Sequence, residues 1–439
     1  MLNSGLPTSG FGQYLIPMTK STNQKTTWQK TRKFFNDIHL WTGLISGIII
    51  VAVCLSGTIY TYNTELREWA EPHLHQVDQP DNARRMPADL IIEKVSKAAG
   101  GRVSAISIPN DPNRTYQLTV RSEGDNSRGG TSYYVNPYNG EITGDSKEKS
   151  SVGEWMGYMF SLHRWLLLDK IEEPLIGELP NRTLGSYITG TATILFTLGV
   201  LTGMIIWVPQ RVKNWKQGLK IKWGGSWKRT NHDLHNSLAF YSLIILFLMG
   251  ITGPQWSFPW YRTALQKTLG TYKEAPAPTK ATEDHKASGP TLEQAAPGPA
   301  VLLDIEKYLM EADLVLPYSG DYRVSLPETA DTPIEISKNR VGFFAPAAAD
   351  KVTLNASTAA VLSTDIFKEK PFNERIAGSI KALHLGNIYG QFSKLLYFFA
   401  CLIATSLPIT GTIIWLNKMK KKKRKKARNR MEKSLVVGS

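Results

Sequence analysis

The sequence predicts a mainly α-helical membrane protein: a four-helix transmembrane bundle built by internal duplication, carrying two small α+β domains outside the bilayer. Three observations predict it. Four uncharged runs stand out: Trp41–Tyr62, Tyr187–Val208, Ser237–Trp256 and Leu395–Leu416, of 22, 22, 20 and 22 residues. At ~1.5 Å rise per residue, each crosses a hydrocarbon core of ~30 Å as a helix. The motifs around the first pair of runs recur around the second. Between the runs lie two long polar segments with strand-like patterning. These features exclude a soluble enzyme, although the mean hydropathy of the 439-residue chain is only −0.22.

The N-terminal segment 1–38 holds five Lys/Arg, the loop 209–234 seven, and the tail 417–439 eleven, including the run Lys420 to Lys426; only Asp37, Asp233 and Glu432 oppose them. By the positive-inside rule these three segments are cytoplasmic. The spans then occupy 39–62, 184–208, 235–256 and 391–416, and the segments 63–183 and 257–390 face the other side of the membrane. No small-residue cleavage site follows the first span, so an uncleaved anchor is expected. The basic tail follows a span directly, which points to anionic lipid and not to nucleic acid. Cys54 and Cys401 fall inside spans, where packing is the ordinary role.

In each outer segment a helix precedes strands. Residues 87–99 read as an amphipathic helix, followed by strand-like runs Arg102–Ile108, Thr115–Arg121 and Thr131–Val135. Residues 300–313 read as the second helix, followed by Tyr322–Leu326, Pro333–Ser337 and Lys351–Leu354, with Phe343–Asp350 inserted before the last strand. The stretch Lys273–Ala300, rich in Pro, Ala and Lys, reads as a flexible linker that includes a solvated His285.

The repeat is visible at the residue level. Asp37-Ile38-His39 precedes span one and Asp233-Leu234-His235 precedes span three. From each histidine to the closing glycine, in Ser56-Gly57 and Thr252-Gly253, is 18 residues. Spans two and four end Thr202-Gly203-Met204-Ile205-Ile206-Trp207 and Thr410-Gly411-Thr412-Ile413-Ile414-Trp415. Leu162-His163 and Leu383-His384 precede them, 40 and 27 residues before the glycine, which implies a roughly 13-residue insertion within Lys170–Thr183 in the first copy. Both copies start on the same side, so the duplication is parallel.

Four of the eight histidines therefore sit at repeated positions. His39 and His235 occupy the cytoplasmic ends of their helices, and His163 and His384 lie in amphipathic stretches on the outer side. One histidine near a span end ordinarily meets headgroups. One pair per leaflet, donated by different halves, is the pattern that bis-imidazole ligation of a b-type haem requires. His39, Gly43 and Gly47 share a helical face, and Gly386 and Gly390 follow His384, leaving space for a porphyrin. Gly43-x3-Gly47 and Gly199-x3-Gly203 also fit ordinary helix packing. His232, one turn before His235, stays open as the ligand in its place. His73 and His75 have no counterpart and read as surface residues. No Cys-x-x-Cys-His occurs, which excludes covalent haem. Trp155, Tyr158, Phe160 and Trp165 surround His163, either as a landing surface, with Arg164 for polar contact, or as an interfacial belt. No charge falls within the runs Trp41–Tyr62, Tyr187–Val208, Ser237–Trp256 and Leu395–Leu416, which disfavours an ion-coupled transporter. No phosphate-binding glycine motif occurs, and the cytoplasmic segments are too short to fold around a flavin or nicotinamide.

In the order of these motifs (Asp37-Ile38-His39 before Trp41-Thr42-Gly43, Leu162-His163-Arg164 before span two, the Thr-Gly…Trp endings, and paired outer domains) the chain resembles the PepSY-associated transmembrane family of iron-regulated bacterial inner-membrane proteins. Within it, the ferric-siderophore reductase branch is the nearest likeness. The resemblance implies two b-type haems and a reductase that passes electrons across the membrane to a ferric siderophore, releasing Fe(II) in the periplasm. A membrane quinol or a cytosolic reductase would supply the electrons. The alternative is a non-enzymatic binding protein whose outer domains capture a peptide, a protease or a metal chelate.

Overall fold

The computed structural model of the chain describes residues 27–122, 129–208, 215–274, 304–327 and 332–437. From residue 275 onward, the linker read over 273–300, with His285, lies outside the described residues. The first half of the chain runs α1 (Thr27–Tyr60), α2 (Asn63–Ala70), α3 (Pro72–His75), α4 (Ala88–Ala99), β1 (Gly101–Ile108), β2 (Tyr116–Ser122), β3 (Thr131–Val135), β4 (Ile142–Asp145), α5 (Ser151–Trp165) and α6 (Asn181–Trp207). A short α7 (Trp215–Gly218) leads to α8 (Trp227–Thr252) and α9 (Pro259–Thr268). The second half then repeats the order: α10 (Ile305–Val315), β5 (Gly320–Ser325), β6 (Ile334–Arg340), β7 (Asp350–Leu354), β8 (Val361–Asp365), α11 (Phe372–Leu385) and α12 (Gly390–Val437).

Helices α1, α6, α8 and α12 are each long and apolar enough to cross a membrane. They extend beyond the uncharged runs because their polar flanks continue the helix. α1 packs on α6 and α12, and α8 packs on the same two, so α1 and α8 occupy one diagonal of the bundle. Leu246, Ala400 and Ala404 fill the middle, with Phe196, Val200 and Met249 against them. Free Cys54 packs there, and the Cys401 thiol lies 3.5 Å from the Met249 sulfur, in keeping with packing roles.

The strands do not form two separate sheets. They make one eight-stranded antiparallel sheet in the order β4-β3-β2-β1-β5-β6-β7-β8. The seam pairs Ala105 with Ser325, Ile106 with Val324, Ser107 with Arg323 and Ile108 with Tyr322. An isolated four-stranded sheet would leave β1 or β5 as an unpaired edge; pairing them satisfies both. One core serves both halves, with Ile91, Val95 and Leu118 from the first beside Tyr308, Ile336 and Leu354 from the second. Each half has four strands where the sequence pattern shows three. β4 and β8 are edge strands without alternating burial, so they leave no period-two signal. The inserted residues 341–349 consequently precede two strands and not one. They tie the sheet to the start of α12, where the Phe392 N–H donates to the Phe343 carbonyl and the Ala347 N–H to the Ile388 carbonyl.

The sheet and the bundle are also joined by charge. Glu65 on α2 accepts from Lys394 at 2.6 and 2.7 Å and from Gln391 at 2.6 Å, both on α12. Burial alone would raise the Glu65 carboxyl, but the bonds from Gln391 and Lys394 outweigh it and hold its pKa below the ordinary value. Lys394 is only 12% exposed. Glu65→Ala is expected to cost roughly 1–3 kcal/mol, because the ammonium loses its partner, read as a lower melting temperature in detergent. The contribution of a carboxyl with a depressed pKa is present above pH ~4.5 and is lost as pH falls through its folded value. The wild-type and Glu65→Ala melting curves should therefore converge in acid.

Candidate functional site

Two pairs of imidazoles lie at opposite ends of the bundle. His39 on α1 and His235 on α8 face each other along the diagonal, with ring centres 6.3 Å apart and planes at 79°. His163 on α5 and His384 on α11 face each other at the sheet end, 6.2 Å apart at 61°. α1 links the two levels, since His39 starts at one end and Gly57 touches His163 at the other. Their separation in sequence corresponds to ~27 Å of helix rise. All four histidines of the repeat are thus brought together two by two. His232 is not: its side chain is 57% exposed and lies 3.5 Å from Asp233.

Each imidazole rests on the same local device, a Ser/Thr-Gly step on a neighbouring helix. His39 Nδ1 donates to the Gly199 carbonyl at 2.9 Å, with Thr202 Oγ1 3.4 Å away. His163 Nδ1 donates to the Val53 carbonyl at 2.8 Å. His235 Nδ1 donates to Thr410 Oγ1 at 2.9 Å beside the Leu407 carbonyl, and His384 Nδ1 to Thr252 Oγ1 at 3.0 Å beside the Met249 carbonyl. The four carbonyls belong to the residues three before Ser56, Thr202, Thr252 and Thr410. Each of those hydroxyls also donates within its own helix, for example Thr252 to Leu248 at 2.7 Å and Thr410 to Ser406 at 3.0 Å. A hydroxyl has one proton, so towards the ring it acts as an acceptor.

Carbonyls and spent hydroxyls place the proton on Nδ1 in all four rings. In the neutral ring this leaves the Nε2 lone pair available, and Nε2 has no hydrogen-bond partner among the described residues. Metal-ligating histidines are oriented by the same kind of outer contact. Burial lowers the pKa of His163 and of His384, the latter to about 3 with the neighbouring His163 adding to the effect, so both rings stay neutral. The following glycine lets the ring close onto the helix. A Cβ at Gly203 would lie 3.1 Å from His39 Cε1, at Gly57 3.0 Å from His163 Cε1, at Gly411 3.2 Å from His235 Cε1, and at Gly253 3.3 Å from His384 Cε1.

Each facing pair, His39 with His235 and His163 with His384, has the chemistry that would suit an iron taking two imidazole ligands. Two metal–nitrogen bonds of ~2 Å plus the near half of each ring come to ~6 Å between ring centres, against the 6.3 and 6.2 Å found here. No cluster of three or more His, Cys, Asp or Glu suited to a bare metal ion occurs among the described residues.

Other expected residues fall elsewhere. Gly43 faces open space, as a porphyrin face would need, whereas a Cβ at Gly47 would meet Pro408 of α12 at 3.3 Å. Gly386 and Gly390 are turn residues with φ of +81° and +55°, and a side chain at Gly386 would strike the Tyr397 ring; they shape the α11–α12 corner. Trp155, Tyr158 and Phe160 are exposed, but Trp165 is 8% exposed and lies beneath Arg182, so it is no part of a landing surface. His73 approaches Glu148 at 3.3 Å. His75 stacks edge-on against Tyr134 in the wall of a polar cavity of about 570 Å³, lined also by Arg67, Glu68, Glu71 and Arg114 and by Gly153 of α5. The sequence reading missed this cavity, because its wall combines α2, α3, the strands and α5.

The family model of the PepSY-associated TM region matches residues 37–418, and the chain belongs to that family. No curated protein matches it.

Were the His39–His235 pair to hold a haem, two outcomes would follow from the cradle. Gly203→Ala should weaken its retention and Gly203→Val should abolish it, whereas Gly43→Ala, with nothing within 4 Å of its new methyl, should leave it intact. His235→Ala should then lose the group and His232→Ala should keep it. Soret absorbance per chain in the purified protein reads all four variants.

Proposed function

We propose that the protein is a di-haem b reductase of the bacterial inner membrane that passes electrons across the bilayer to a ferric siderophore in the periplasm. The observation that carries this reading is the pair of facing imidazoles at each end of the bundle, with one-iron spacing and every Nδ1 proton engaged. A b-type haem at each pair supplies a one-electron Fe(III)/Fe(II) couple when bound. His39 and His235 hold the cytoplasmic-side group, and His163 and His384 hold the periplasmic-side group. The recurring element order supports a parallel duplication in which each half donates one ligand to each site. The chain's own task is to keep four imidazoles neutral and oriented, and to shield both groups within an apolar bundle.

The substrate iron takes up one electron and goes from Fe(III) to Fe(II). Siderophores grip Fe(III) through hard oxygen ligands, and Fe(II), with less charge, is held more weakly and released. No acid, base or nucleophile is required. A quinol or a cytosolic reductase delivers the electron at the opposite face. The 570 Å³ cavity is of ligand size. It touches the first turn of α5, whose last turn carries His163, about 15 Å along the helix. That placement supports reading it as the docking volume for the chelate.

His39→Ala should halve the haem content per chain and leave the other Soret component in place. In the activity test, the purified protein is reduced anaerobically and given a ferric siderophore in the presence of an Fe(II)-trapping dye. The haem spectrum should reoxidise as the dye develops colour. Haem that stays reduced, with no Fe(II) captured, would refute the reductase reading even with both groups bound.

A further inference from the structure

We infer that the sheet-side porphyrin points its carboxylate edge away from the middle of the bundle, onto Arg164 and Arg182. This rests on the two-haem reading and adds how the sheet-side group is seated.

Arg164 follows His163, and Arg182 opens α6. Both guanidinium groups lie on the ring of Trp165, at 6.0 and 4.1 Å from its centre. Neither has a carboxylate partner among the described residues. Arg164 Nη2 donates to the Trp256 carbonyl at 3.5 Å, a long bond, and the Trp256 ring is 4.9 Å from that of His384. Arg164 therefore spans from the His163 side of the pair to the His384 side.

A ferric iron between two imidazoles adds positive charge. A guanidinium or ammonium beside it is repelled unless an anion stands between. The propionates of a b-type porphyrin are such anions, and charge-assisted N–H···O bonds to them are among the stronger contacts a protein makes. The opposite orientation offers no partner. The bundle middle is Leu246, Ala400 and Ala404, and a carboxylate turned into it would be desolvated without compensation. The seat is also one-sided, because Leu385 stands after His384 where Arg164 stands after His163. The sheet-side carboxylates consequently lean towards α5 and α6.

The test uses the full chain in lipid nanodiscs. The His39→Ala background isolates the sheet-side haem. Arg164→Gln and Arg182→Gln should speed its transfer to apomyoglobin by about tenfold and lower its midpoint potential, since removing a cation favours the ferric state. Haem dimethyl ester provides the decisive arm: with its carboxylates blocked, wild-type and Arg164→Gln chains should release the group at the same rate. Unchanged release and potential in the Arg164→Gln/Arg182→Gln chain would overturn the assignment. So would a difference that survives esterification, which would give the arginines to another anion, such as the chelate. A wild-type chain without a Soret band would overturn the two-haem reading itself, and this inference with it.

Discussion

A histidine buried in a helical bundle must put its Nδ1–H on an acceptor, and the arrangement of this bundle follows from how that need is met. Helical carbonyls are already bonded along the chain, so a ring can reach one only where the helix surface is low. The Ser/Thr-Gly step provides that low point. The glycine removes the side chain under the ring, and the hydroxyl, bonded back along its own helix, offers a lone pair beside a carbonyl three residues earlier. Because each ring and its step lie on different helices, each cradle also joins two helices. His39 joins α1 to α6, His235 joins α8 to α12, His163 joins α5 to α1, and His384 joins α11 to α8. The same contacts that orient the lone pairs hold the bundle's contact order.

The halves are alike in this skeleton and unlike around it. α5 and α6 are separated by a long turn in which Asn181 bonds the backbone of Ile171, Glu173 and Leu175, whereas α11 reaches α12 through a short corner at Gly386 and Gly390. Ser56 stands where the other three steps have threonine, and His163 alone has a carbonyl as its sole Nδ1 acceptor. Arg164 and Arg182 mark the first half, and Lys394 with its Glu65 partner marks the second. A repeated frame thus carries two differently charged faces at the sheet end.

Much of this was legible in the sequence, for identifiable reasons. Spans are written in long runs of uncharged residues, and the four histidines in repeated motifs, with His39 and His235 at equal spacing from their glycines. The Ser/Thr-Gly steps were visible too, but as span endings, and Gly199-x3-Gly203 as helix packing. Their part in holding imidazoles depends on which helix faces which, and no single-chain spacing encodes that. The union of the two sheets was hidden for the same reason. β1 and β5 each carry an ordinary strand pattern, and nothing local says that one completes the other. The edge strands β4 and β8 were lost because a short strand with little to bury has no alternation to read. Gly386 and Gly390 show the opposite error, in which a small residue near a ligand was read as making room when its positive φ was the reason for it.

The β1–β5 seam sets a timetable for biogenesis. The edge of β1 is complete once residue 108 has been made, yet its partner begins at residue 320. At ~5–20 residues per second, a nascent chain carries that open edge for on the order of ten seconds or more, while two further membrane helices are inserted. During that interval the first four strands are a half-sheet exposed to any other strand in reach. The protein is therefore most vulnerable to misassembly before translation has finished, and a chaperone that shields extended backbone would matter most to it then.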